Sequence, residues 1–224
     1  PAEPRVLTDE VTAVGERSLE VQASVARPSS TARSRPGLVW QGLVEVSQGL
    51  AKGLEASVQL VGSHVDGNWR GNAVNAELQY VRSHGDEGLY WGARVELGYG
   101  SEVGESRAMN SELRPILGYR VHDWHLTLNP ALAAALTGED RKVRFVPAAK
   151  LAYAVNGTTS VGGEYFGEAG PIAHLLPRPQ RNELAFLVLD TRWRGSDVAF
   201  GVGRRMTKVS DRWVLKLITP FDLD

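Results

Sequence analysis

The sequence has no cysteine and almost no net charge. Its 25 Lys and Arg stand against 26 Asp and Glu, leaving −1 at pH 7. Without cysteine there is no disulfide framework, no thiolate zinc site and no cysteine nucleophile. Without a basic excess there is no electrostatic footprint for nucleic acid, so none is expected as a partner. Long apolar runs are missing too. The longest covers about six residues, against the roughly 18 that a membrane-spanning helix needs. The hydrophobic fraction of 42% is too high for disorder, and 224 residues fit one domain, a large all-β one included. The mean hydropathy of −0.22 alone suggests a soluble globular protein. The order of the residues points elsewhere.

The dominant period is two. Leu19, Val21, Ala23 and Val25 alternate with Glu20, Gln22 and Ser24, and Trp40, Gly42, Val44 and Val46 with Gln41, Glu45 and Ser47. Leu54 to Leu60, Val74 to Tyr80 and Leu89 to Tyr99 repeat the pattern, with Glu55, Glu77, Arg94 and Glu96 on the polar side. Weaker alternation follows around Glu112, Arg114 and Arg120, around His125, around Arg144 and Lys150, and around Glu164. It ends around Arg205 and around Arg212 and Lys216. The segment from Leu184 to Leu189 is apolar on both faces, which leaves its register open. Strict alternation marks strands with one apolar and one polar face. Twelve such strands are expected, joined by turns such as Gly85-Asp86, His122-Asp123 and Asn156-Gly157.

Either solvent could face the apolar side. Three observations select lipid, as in a closed antiparallel transmembrane β-barrel built as an up-and-down meander. The apolar faces of these strands carry no charge. The aromatics of those faces sit at strand ends, where amphipathic rings prefer the headgroup level. Tyr80, Trp91, Tyr119, Trp124, Tyr153 and Phe221 form one girdle, and Trp40, Tyr99, Phe145, Tyr165 and Trp213 the other. Connections also alternate in length. The longer ones run 27–37, 63–71, 100–107, 137–142, 167–181 and 207–210, and the shorter ones fall between them. Long outer loops and short periplasmic turns are the habit of bacterial outer-membrane barrels, and an open sheet edge is not tolerated in lipid.

Several short motifs carry a family resemblance. Glu112-Leu113-Arg114-Pro115-Ile116-Leu117-Gly118-Tyr119, Leu128-Asn129-Pro130, Phe145-Val146-Pro147-Ala148 and Gly163-Glu164-Tyr165-Phe166-Gly167 resemble the MetA-pathway phenol-degradation family of outer-membrane transporters. So do Gly201-Val202-Gly203 and the segment Ser210 to Lys216. The resemblance covers about the last half of the chain. It implies a bacterial outer-membrane barrel, usually labelled a transporter, and does not imply that phenol passes through it. Leu215, Leu217 and Phe221 also look like a barrel-assembly signal. They depart from it in Ile218, where Gly is common, and in Asp222-Leu223-Asp224 after the Phe. Pro115, Pro130 and Pro147 fall inside expected strands, and proline removes a ladder donor, so bulges or pairing breaks are expected there.

The expected organisation is a polar segment, 1–17, lying in the periplasm or in the lumen, followed by the barrel, 18–224. No secretory signal is visible in the first segment, and a targeting segment is expected to be absent or removed. The expected lumen-lining set is Glu20, Glu45, Glu55, Glu77, Arg94, Glu96, Glu112, Arg114, Arg120, Arg144, Lys150, Glu164, Arg192, Arg205, Arg212 and Lys216. The first four strands supply acids and the last ones bases. Closure of the first strand on the last is expected to set Glu20 beside Arg212 or Lys216.

Two readings of this lumen stand. One is a narrow channel for small polar or aromatic solutes, with charge setting selectivity. The other is a non-conducting structural barrel, salt-bridged inside, which binds or sheathes a partner protein through its outer loops or its N-terminal segment. Loop 167–181, with Pro171, Pro177 and Pro179 and the apolar Ile172, Leu175 and Leu176, is a candidate gate or contact.

Catalysis is not expected. Of the five histidines, only His125 lies on a strand, with Asn129 on the same face, and no serine stands at matching depth for a triad. His122-Asp123-Trp124-His125 reads as a polar turn, not a metal site, and no cofactor is expected.

Overall fold

The alternating segments become strands because each buries one parity along its pleat. The computed structural model describes residues 5–29, 37–83, 85–100, 107–138 and 141–223, without the side chains of 69–72. Parts of the expected loops 27–37, 100–107 and 137–142, His84, Asp224 and the first four residues lie outside that description.

The strands are β1 (Arg17–Arg27), β2 (Val39–Ala51), β3 (Leu54–Val65), β4 (Asn68–Ser83), β5 (Gly88–Gly100), β6 (Ala108–Val121) and β7 (Trp124–Ala135). They continue with β8 (Arg144–Asn156), β9 (Thr159–Glu168), the two-residue β10 (Gly170–Pro171), β11 (Asn182–Trp193), β12 (Ser196–Arg205) and β13 (Trp213–Leu223). Neighbours pair antiparallel around the ring. β1 closes on β13, from Arg17↔Leu223 to Arg27↔Trp213. The result is a closed barrel of twelve strands, with β10 an appendage on the end of β8.

One rim, the turn rim, carries both ends of the barrel and tight turns. His122 and Arg194 take the left-handed conformation there, at φ 51° and 53°. The opposite loop rim carries the longer connections, apart from one. The expected loop 63–71 does not form: β3, with His64 on it, and β4 run on to a two-residue turn, Asp66–Gly67, at φ 49° and 83°. Asp-Gly is a strong signal for a tight hairpin whose twist matches the flanking strands.

The burial pattern is inside-out. Val44, Val46, Val58, Leu60, Val74, Leu78, Val95, Leu97, Leu117, Leu126 and Leu128 are all exposed, and Leu187 is 77% exposed at mid-strand. Glu20, Gln22, Glu45, Gln59, Glu77, Arg94, Arg114, Asn129, Glu164 and Lys216 are buried. Such an exterior requires a lipid solvent. Parity also resolves β11: Leu187 and Leu189 face outward, and Phe186 and Val188 face inward with Phe166 and Val214.

The prolines interrupt the ladder where breaks are expected. Pairing of β6 with β7 stops at Leu113↔Leu132 and resumes in the same register at Leu117↔Leu128, with Pro115 and Pro130 facing each other in the gap. Pro130 pairs in turn with Pro147. Beyond Pro147 the register of β8 shifts by one, from Ala148↔Phe166 to Phe145↔Gly170. The three prolines therefore form one row across three strands. Their freed acceptors are partly met from inside, where the Asn129 amide donates to the Pro115 carbonyl at 3.4 Å.

Candidate functional site: the barrel lumen

Inward parity places charge on the lumen, and strand register decides which charges meet. Glu77 on β4 receives Arg94 from β5 at 2.7 Å, and Glu112 receives Arg114 of its own strand at 2.6 Å. The expected contact of Glu20 with Arg212 or Lys216 does not form. Closure sets Glu20 opposite Pro220 and Lys216 opposite Ser24, because β1 and β13 pair over their full lengths in a register no local pattern reveals. Glu20 instead pairs with Arg5 of the N-terminal segment at 2.7 Å.

Glu45 accepts hydrogen bonds from Gln59 at 2.6 Å and from Ser47 at 3.1 Å. Glu55 accepts from the backbone and hydroxyl of Thr12, both at 2.6 Å. Neither carboxylate has a cation within ion-pair distance among the described residues. Glu96 is half-buried on β5. Arg144 pairs with Glu168 at the loop rim, where Arg205 and Arg212 are exposed, and Arg192 pairs with Asp197 at the turn rim.

The opposite wall holds a buried network. Lys150 on β8 contacts Asp190 on β11 at 2.7 Å and Glu164 on β9 at 3.6 Å. Glu164 also pairs with Lys216 of β13. The Lys216 ammonium lies 5.0 Å from the ring centres of both Phe166 and Phe186, a cation–π arrangement. This ties together strands that are not neighbours in the ring and narrows the lumen at mid-depth. Asp190 lies two positions before Arg192 and shares its inward parity.

Large inward side chains lie along the wall, not across the lumen, because glycines face them. Tyr90 is the register partner of Gly118, Phe186 of Gly203 and Lys216 of Gly201. A Cβ at Gly118 would meet Tyr90 Cζ at 1.8 Å, and one at Gly203 would meet the Phe186 ring at 2.5 Å. The flattened Tyr90 hydroxyl reaches His125 Nε2 at 2.6 Å and Thr127 at 2.5 Å, and Arg120 sits over its ring at 5.3 Å. Asn129 does not orient His125; it bonds to Leu7.

A cavity of about 830 Å3 opens at the turn rim, beside His122, Asn156 and Asp222, and reaches inward to Glu20, Glu45, Glu164 and Lys216. Part of its wall is the N-terminal segment, from Arg5 to Thr12.

The expected interface aromatics all project outward, with Trp40, Tyr80, Trp91, Tyr99, Tyr119, Trp124, Tyr153 and Phe221 exposed and Phe145, Tyr165 and Trp213 half-buried. Trp124 and Tyr153 meet edge to face at 5.0 Å, and Tyr80 and Trp91 at 6.1 Å. Trp193, 62% exposed at the turn rim, belongs with them.

Comparison with known proteins bears on the fold. The KdgM porin in complex with disordered oligogalacturonate superposes at a TM-score of 0.62 and 12% identity, over 92% of this chain and 99% of that one. The NanC porin superposes at 0.60 and 12%, over 92% and 100%. The translocator domain of the autotransporter NalP from Neisseria meningitidis does so at 0.50 and 12%, over 94% and 89%. The chain has the fold of an outer-membrane β-barrel. No family model and no curated protein matches the sequence, so the MetA-pathway likeness remains one of short motifs.

Proposed function

We propose that this barrel is a narrow channel of the bacterial outer membrane, which admits small polar or aromatic solutes to a charged lumen. The observation that carries the reading is the cavity of about 830 Å3 running from the turn rim to mid-depth, with carboxylates and ammonium groups on its walls. A lumen kept only for packing would be filled by side chains, as in barrels of about eight strands. In this reading the turn rim faces the periplasm, since tight turns belong on that side. The outward aromatics hold the barrel at the two headgroup levels. Oligogalacturonate, the ligand named for the KdgM complex, is a chain of sugar acids. The mixed charge of this lumen suits neutral or zwitterionic solutes better than such polyanions.

The Asp190–Lys150–Glu164–Lys216 network favours the second reading, a non-conducting barrel that holds a partner. Planar-bilayer recordings on protein with heat-modifiable gel mobility separate the two. Discrete current steps are the expected result, and their absence from demonstrably folded protein overturns the channel reading.

A further inference from the structure

The barrel wall binds a length of chain that belongs to no strand. Residues 5–16 have no helix and no strand pairing beyond a single parallel bridge, Val14↔Gly49, yet they follow the inner wall from β2 to β7. In a closed barrel the backbone N–H and C=O groups are consumed by the ladders, so a wall has little left with which to hold a peptide. This wall supplies substitutes. Asn129 accepts from Leu7 N at 2.8 Å and donates to the Leu7 carbonyl at 3.1 Å, the pair of bonds a neighbouring strand would make. Gln79 donates to the Glu10 carbonyl at 3.1 Å, Arg114 to the Arg5 carbonyl at 3.4 Å, and Glu55 accepts from Thr12 N at 2.6 Å.

At β2 the wall offers its own backbone. The register of β2 on β3 shifts between Gly49 and Ala51. Gly49 then accepts from Gly15 N at 2.9 Å and donates to the Glu16 carbonyl at 3.1 Å. Only glycine admits this approach, because a Cβ there would fall 2.0 Å from the Ala13 carbonyl oxygen.

Side chains add selectivity. Leu7, 2% exposed, fills a pocket of Val81, Tyr90 and Ile116, with Val11 packed against it. Asp9 pairs with Arg120 and Arg5 with Glu20.

From this geometry we propose that the inner wall from β2 to β7 is a peptide-binding site. Its ligand class is a non-helical polypeptide segment with an apolar residue, an acid two positions on and a second apolar residue four positions on. Leu7, Asp9 and Val11 supply that pattern in cis, and a free peptide carrying it replaces them. Backbone groups are engaged at four residues, Arg5, Leu7, Glu10 and Thr12, besides the bridge region, a mode of recognition that tolerates variation between the anchors. The proposal stands apart from the channel reading, because binding is measured without current.

The test uses the full chain and a fluorescein-labelled synthetic peptide with the sequence of residues 5–16. The chain has no native thiol, so Leu7→Cys carries a unique one at the buried position of the segment. Its modification by a maleimide is expected to be slow in the folded barrel and at least tenfold faster with excess peptide. The same peptide with aspartate in place of its leucine should leave the rate unchanged. In parallel, the Leu7→Asp barrel, checked for heat-modifiable mobility, is expected to bind the labelled peptide at least tenfold more tightly than the unsubstituted barrel. Acceleration by both peptides alike, or no acceleration by either, overturns the proposal. So does a folded Leu7→Asp barrel that fails to bind.

Discussion

Tyr90 lies flat over Gly118, its register partner across the β5–β6 seam, so closely that a Cβ on Gly118 would sit 1.8 Å from Tyr90 Cζ. The pair lets a large ring cover the wall without crossing the lumen. The same relation between Phe186 and Gly203, and between Lys216 and Gly201, makes it a recurring device of this interior.

Gly118→Val should push Tyr90 off the wall and break its hydrogen bonds to His125 and Thr127. Overpacking of this kind typically costs about 1–3 kcal/mol. The expected outcome is a lower urea midpoint of unfolding from lipid vesicles. If the barrel conducts, unit conductance falls as well. Gly118→Val with Tyr90→Ala should restore both.

Lys216→Met removes one positive charge from the mid-depth network and leaves Glu164 with Lys150 alone. Breaking a buried pair costs roughly 3–5 kcal/mol when the remaining charge is stranded, and the second lysine should keep the loss below that. In a salt gradient the reversal potential is expected to move toward cation selectivity. Movement toward anions would contradict the assignment of this network to the conduction path.

Leu187→Arg places a cation at the middle of β11 on the outward face, where the leucine is 77% exposed. At a bilayer midplane such a change costs about 2–4 kcal/mol. A lower yield of heat-modifiable barrel after refolding into vesicles is expected, whereas Gln59→Lys on the inward face should show less loss from lipid. Equal tolerance of Leu187→Arg would mean that this face does not meet hydrocarbon.

Asn129→Leu keeps bulk but leaves the buried Leu7 N–H and C=O without the Asn129 amide that pairs them. Unpaired groups of this kind cost about 1–3 kcal/mol each. Faster amide exchange at Leu7 is expected, with exchange in the β6–β7 ladder beyond the proline gap unchanged.

Asp211 lies in the connection between β12 and β13, and burial pushes its carboxyl above the usual carboxylate range. The folded state therefore holds this proton more tightly than the unfolded chain. Its contribution to stability is complete below the unfolded value of about 3.9 and is lost as pH rises through the higher folded value. Asp211→Asn should raise the urea midpoint at neutral pH and leave the acidic limit little changed. A parent and variant that differ equally at both pH values would remove the titration from the explanation.

Parity is a local property, and it carried most of the architecture. A residue two positions along a strand faces the same way whatever the strand pairs with. The strand count, the lipid-facing leucines and the inward placement of Glu45, Glu77, Arg94 and Lys216 were therefore legible in the alternation alone. The average hydropathy misled because a transmembrane strand presents only every second residue to lipid. The pattern blurs between Leu184 and Leu189, where both faces are apolar. At Asp66–Gly67, a hairpin signal sat inside a polar stretch that read as a loop.

The sequence by itself determined which residues face inward, because the pleat alternates regardless of the fold around it. Only the tertiary structure decided which inward residues meet. Glu20 found Arg5, Glu164 found Lys216 and Asn129 found Leu7. Those partners are set by barrel closure and by the path of the N-terminal segment, and both link residues too distant in sequence for any local period to encode.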